Sequence, residues 1–296
     1  PGQKDNLMGS EPEAEERLRS QLARFDRSHR EPEAVSEETR RRLQALGYVG
    51  QASVGQEQDL PDPKDGVGTL ADLRAAYSLF AAGEYESAAR SFEVIVTANP
   101  LLEDAWEDLA MSQLALGRVD DAVLSYRAAV ESLPDSGRMS LRLAMLLYRL
   151  GRLDEAFVQA NLAIAFDPAA AHVLLGQIAF HRGDLETAEV EAREAMADDP
   201  SRPGPWMVLA DVAVARGEPE TAVDLLSDAM AGGVTDAAVR AKLALTHLWM
   251  AHFDDAAEVL SGFEDSEDPE ILMAFGKLAS AREQWSEARS WYEKVL

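Results

Sequence analysis

Residues 103–136 read "EDAWEDLAMSQLALGRVDDAVLSYRAAVESLPDS". Two apolar patterns of helical period flank Gly117: Leu109, Ala110, Gln113 and Leu114 before it, then Ala122, Val123, Tyr126 and Ala129. A glycine at this place ends a helix by adopting left-handed backbone. The small Ala122 lets the two helices cross closely, and Tyr126 fills the ridge beyond it toward a neighbouring unit. Pro134 stops the second helix, because it lacks an N–H and clashes with the preceding turn. The stretch predicts a helix–turn–helix of about one 34-residue period.

The same marks recur along the chain. Gly83, Gly117, Gly151, Gly183 and Gly217 are each followed five residues later by alanine: Ala88, Ala122, Ala156, Ala188 and Ala222. Prolines keep the phase at 100, 134, 168 and 200, and Trp106 and Trp206 each open a unit. Phe92, Tyr126, Leu226, Leu260 and Tyr292 hold the large ridge position. Ala251 and Glu283 replace the glycine in the last two units, but Phe253 and Trp285 follow at +2, and Ala256 and Ala288 at +5.

This pattern resembles the tetratricopeptide repeat, whose consensus carries Trp, Leu-Gly, Tyr, Gly, Ala, Phe, Ala and Pro at fixed offsets. The resemblance implies an all-α fold, a right-handed superhelical solenoid of about seven units: 69–102, 103–136, 137–168, 169–202, 203–236, 237–268 and 269–296. Residues 51–68 are expected to be a linker. Leu296 falls inside the second helix of unit seven, with no polar capping helix after it. Solenoids usually have one, so this end is read as a truncated parent or a helix covered by something else.

Composition narrows the function. The 296 residues are 47% hydrophobic, enough for a packed core. No apolar run approaches the ~20 residues of a membrane span, so membrane insertion is not expected. No leader precedes Pro1, which points to a processed or cut N-terminus. With no cysteine there are no disulfides and no thiolate metal sites. The net charge of −25 lies almost wholly after residue 50, where it would repel nucleic acid and anionic lipid. The charge fits a solvated surface more readily than an acidic docking site. The compartment stays open: cytoplasmic, periplasmic or exported.

The first 50 residues differ from the rest. Ser10 and Glu13 form a capping-box pattern for a helix over 10–28, with Ala14, Leu18, Leu22 and Phe25 on one face. Ser36 suits the start of a second helix and Gly47 its end; Arg40, Arg41 and Arg42 read as a solvated face. "PGQKDNL" at 1–7, "SEETRRRLQALGYVG" at 36–50 and "LPDPKD" at 60–65 resemble the tail of a bacterial sulfatase-like hydrolase domain of the alkaline-phosphatase superfamily. That resemblance implies a parent enzyme whose catalytic domain precedes Pro1. The alternative is a docking helix that caps the first repeat.

No catalytic chemistry is expected within the chain. The sulfatase signature, with its Cys or Ser nucleophile, is absent, as are a phosphate-binding loop and a dinucleotide fingerprint. No histidine pair stands at a recognised ligand spacing, so His172, His181, His247 and His252 are assigned to packing or surface, and no metal or cofactor is expected. The acidic run "EDSEDPE" at 264–270 reads as an exposed turn, not a calcium loop.

The resemblance also implies a binding face. In this family the first helix of each unit lines the concave side. Carried over, its positions hold Tyr77, Phe80, Met111, Leu114, Met145, Tyr148, Gln177, Phe180, Met207, Asp211 and Trp249. These are largely soft or aromatic side chains, suited to a protein or peptide partner; packing against neighbouring helices is the competing use. The Lys/Asn clamp that grips chaperone-tail carboxylates is missing: its places hold Leu73 and Tyr77, Glu107 and Met111, Leu141 and Met145, and Val173 and Gln177. The expected function is a protein-interaction scaffold attached to a sulfatase-like hydrolase; the alternative is a free-standing adaptor.

Overall fold

A computed structural model describes residues 66–295. The helices expected within residues 1–50, and the motifs carrying the hydrolase resemblance, lie outside these residues. The described residues form fourteen α-helices and no strand. They are α1 Gly66–Ala81, α2 Tyr85–Ala98, α3 Glu103–Ala115, α4 Val119–Ser132, α5 Gly137–Arg149, α6 Leu153–Ala163 and α7 Pro168–His181. Then come α8 Leu185–Asp198, α9 Pro203–Ala215, α10 Pro219–Ala231, α11 Ala237–Trp249, α12 Phe253–Leu260, α13 Pro269–Ala281 and α14 Trp285–Val295. α1 opens at Gly66, inside the stretch expected to be linker.

Each odd helix packs on the even helix that follows it, and each even helix packs on the odd helix of the next unit. Several first helices also touch one another directly: α5 with α7, α7 with α9, α9 with α11 and α11 with α13. This is a solenoid in which the first helices share one face.

The turn inside each unit is built alike. Gly83, Gly117, Gly151, Gly183 and Gly217 all have φ between 72° and 80°. The N–H after each glycine donates back across the turn, as in Arg118 N–H to the Gln113 carbonyl at 2.8 Å and Arg152 N–H to Leu147 at 2.9 Å. These bonds satisfy carbonyls that the helix end would otherwise orphan. Ala251 and Glu283 adopt the same left-handed backbone, at φ 60° and 59°, without being glycine.

Behind the turn, Ala88, Ala122, Ala156, Ala188, Ala222, Ala256 and Ala288 are all buried. So are Phe92, Tyr126, Leu226 and Leu260, while Tyr292 is half-buried and lies against Gly276 of the paired helix. Trp106 and Trp206 each donate their indole N–H to the carbonyl of the proline six residues earlier, both at 2.9 Å. Burying a tryptophan is tolerated when its N–H is paired.

The two kinds of helix start differently. Ser136, Asp167, Asp236 and Asp268 cap first helices through their side chains. Among the second helices whose N-caps are described, only α8 has such a cap, from Asp184. The others begin straight after the tight turn and instead carry acids in the first turn: Glu86, Asp120 and Asp121, Asp154 and Glu155, Glu220, Asp254 and Asp255, and Glu287. There a carboxylate meets the positive end of the helix dipole. Part of the chain's negative charge therefore has a structural use.

Candidate functional site

The eleven side chains expected to line the first-helix face fall into two sets. Tyr77, Met111 and Met145, equivalent residues of the first three units, are exposed, as is Trp249. Phe80, Leu114, Tyr148 and Phe180 sit one turn further along and are half-buried in the seams between helices, packed on the core. Phe80 meets Tyr85 edge-on with ring centroids 5.4 Å apart, and Tyr148 meets His181 at 5.3 Å. Gln177, Met207 and Asp211 are partly exposed.

The first helices are also joined by ion pairs. Arg138 of α5 pairs with Glu103 at 3.2 Å and Asp104 at 2.5 Å, and Arg142 pairs with Glu107 at 2.7 Å, tying α3 to α5. Burial and then Asp108, on the next unit, push the Tyr77 hydroxyl up to about 12. Tyr148 is raised by burial and then by Asp211, which belongs to a helix two units along. First helices of separate units thus lie close enough for their charged groups to act on one another.

A hollow of about 550 Å³ opens between α9, α11 and α13. Its apolar wall includes Met207, Val214, Leu245 and Met273, and its polar edge is Asp211, Lys242 and Glu270. Lys242 Nζ lies 2.7 Å from Asp211 Oδ2. Glu270 is held above the usual carboxylate range by burial, then by Asp268 and Asp236. The sequence reading named Met207 and Asp211 but missed Leu245 and Met273, which occupy the same face positions in units whose signature drifts. Most of 264–270 is exposed, as the sequence reading had it, but Asp268 caps α13, which opens at Pro269, and Glu270 reaches the hollow.

A second apolar patch lies on α6 and the turn after it, where Phe157, Val158, Leu162 and Phe166 are all exposed. No feature of the repeat pattern marks it.

The histidines make specific polar contacts. His172 Nδ1 pairs with Glu191 at 2.7 Å, and His181 contacts the Tyr148 hydroxyl at 3.1 Å. His247 and His252, however, converge with Asp255. Burial holds the His247 imidazole below its ordinary pKa, with Asp255 opposing and His252 adding to the shift.

Family models of the tetratricopeptide repeat match residues 73–136, 107–169 and 179–245, together more than half of the chain. The chain belongs to the tetratricopeptide repeat family. Among solved structures, it is similar to a tetratricopeptide repeat protein from Parabacteroides merdae: 17% identity, TM-score 0.64, covering 78% of this chain and 93% of that one. It is also similar to pilF of Pseudomonas aeruginosa, at 17% identity and TM-score 0.53, covering 67% of this chain and 90% of that one. At such identity these likenesses show the fold alone. A comparison with curated proteins found no match. Tetratricopeptide repeats are protein-binding scaffolds and generally not catalysts. No helix among the described residues is long and apolar enough to cross a membrane.

Proposed function

We propose that this tetratricopeptide array grips an extended segment of a protein partner along its first-helix face. The hollow between α9, α11 and α13 takes an apolar anchor of that segment. The hollow is the observation that carries the reading: it is concave, walled by adaptable methionines, and edged by carboxylates. Lys242 pairs with Asp211, and its effect on Glu270 is outweighed by burial and by Asp268 and Asp236, so the edge favours a neighbouring Lys or Arg on the ligand. The exposed row Tyr77, Met111 and Met145 offers further anchor points toward the first units.

Selection from a random displayed-peptide library tests this. Enriched peptides should combine a bulky apolar residue with a nearby Lys or Arg. A Met207→Ala/Met273→Ala double variant should lose about 2 kcal/mol or more if the pair forms a hot spot. Glu270→Gln should mainly slow association and flatten its salt dependence. Equal binding by the folded double variant would overturn the assignment and move attention to the α6 patch.

The motifs in residues 1–65 support a further proposal, that the array is the non-catalytic tail of a sulfatase-like hydrolase. The gene sequence upstream of Pro1 decides it. A metal-dependent hydrolase domain there supports the reading; any other sequence leaves a free-standing adaptor.

A further inference from the structure

The turn joining α11 to α12 gathers two imidazoles and a carboxylate. His247 stands in the last turn of α11, His252 immediately precedes α12, and Asp255 lies in the first turn of α12. Asp255 Oδ2 is 3.8 Å from His247 Nδ1 and 3.6 Å from His252 Nδ1. One ligand atom from each of the three falls within 4.8 Å of the other two.

The backbone makes this convergence. His252 N–H donates to the His247 carbonyl at 2.8 Å, across left-handed Ala251. That bond brings residues five apart to the same side of the turn, and Asp255 follows one helical turn later. Every unit makes the same turn, but the corresponding residues elsewhere cannot ligate as a set. They are Gln113, Arg118 and Asp121 in unit two, Ala179, Asp184 and Thr187 in unit four, and Ala213, Glu218 and Thr221 in unit five.

Two further observations point to a cation. The His247 Nδ1 atom is buried and has no hydrogen-bond partner. A buried lone pair left unused is unfavourable, and a metal ion would satisfy it. Asp255 has only histidines as ion-pair partners among the described residues; nearby Arg282 is occupied by Asp254 at 2.8 Å and by the Phe253 carbonyl at 3.0 Å. The helix dipole accounts for an acid at position 255, as in the other second helices. It does not account for two imidazoles converging on that acid.

We propose that His247, His252 and Asp255 bind a zinc ion that staples the α11–α12 turn. Two nitrogens and one carboxylate oxygen suit this borderline-soft cation, whereas magnesium and calcium prefer all-oxygen shells. At zinc–ligand bonds of about 2.0–2.2 Å, tetrahedral ligand atoms stand roughly 3.3–3.6 Å apart. The observed 3.6 and 3.8 Å separations from Asp255, with the third within 4.8 Å, close to that by rotation of the exposed His252 and Asp255 side chains. His252 and Asp255 are exposed, so the fourth position faces solvent and takes water. The ion would reinforce a unit in which alanine replaces the turn glycine.

The test uses the full chain, stripped with chelator and titrated with zinc chloride by calorimetry. One zinc per chain should bind. His252→Gln and Asp255→Asn, both at exposed positions, should each weaken binding by at least about tenfold. His172→Gln, in the separate His172–Glu191 pair, should leave it unchanged. Binding should weaken as pH falls through the histidine range, because protons compete for the same nitrogens. Zinc should raise the melting midpoint of the native chain but not of Asp255→Asn. Cobalt should give a visible absorption band in the native chain that both ligand variants lose. Absence of saturable zinc binding, or equal affinity in both ligand variants, would overturn the proposal.

Discussion

Tyr126 shows what one ridge residue contributes. It is buried between two units, and burial, followed by the nearby Glu107, pushes its hydroxyl up to about 12. The neutral phenol is therefore the form that the fold accepts. The stabilisation is fully present below the unfolded value near 10 and is lost as pH rises through about 12. Over that window the native chain should lose roughly 2–3 kcal/mol through this residue, so alkaline unfolding of Tyr126→Phe should be shifted upward in pH. Chemical denaturation at a series of pH values checks it; identical profiles for both chains would show that the phenol tolerates ionisation in place. The residue's identity was legible from its offset after Gly117. Its ionisation behaviour was not, because Glu107 comes from the partner helix.

At the scale of the element, the turn is the informative unit. Gly83 and Gly151 have left-handed backbone, and a Cβ added at either would meet nothing within 4 Å. Gly→Ala there isolates the backbone term, and each should cost about 1–2 kcal/mol. Glu283→Gly should give the converse, a gain of up to about 1 kcal/mol, because Glu283 holds φ 59° without glycine's freedom. Urea midpoints with unchanged slope would check both signs; destabilisation by Glu283→Gly would mean that its side chain contributes more than the strain costs. The sequence marks Ala251 and Glu283 as the turn positions, and both take the left-handed backbone without glycine while the same turn bonds form, His252 N–H to His247 and Gln284 N–H to Ala279, both at 2.8 Å.

Over the whole molecule, charge opposes the stacking. Arginines beside the turns link successive units: Arg118 with Glu86 at 2.6 Å, Arg182 with Asp154 at 2.5 Å, Arg216 with Glu189 at 2.6 Å and Arg282 with Asp254 at 2.8 Å. These pairs are largely exposed, and each contributes little. They cannot offset a net charge of −25. Raising salt from ~0.01 M to ~0.15 M shortens the screening length from about 30 Å to about 8 Å. Long-range repulsion should be screened more than the short pairs, so the melting midpoint should rise with sodium chloride. A fall would show that the inter-unit pairs dominate. Since each unit packs only on its neighbours, the gain should appear across the array.

The repeat was settled by the sequence alone. Helical period, turn glycine, small crossing residue and terminating proline are local requirements of one helix pair, and local requirements are written at fixed spacings. Unit number, turn position and the buried alanines followed from them. The tertiary structure decided which face residues remain free: Met111 and Met145 are exposed while Leu114 and Tyr148, one turn away, close the seams between helices. It also assembled the hollow from three separate units, and set His247 and His252 beside Asp255 at a spacing that no linear motif marks. These arrangements depend on how far one helix is rotated against the next, and that rotation comes from packing between units, not from any pattern within one.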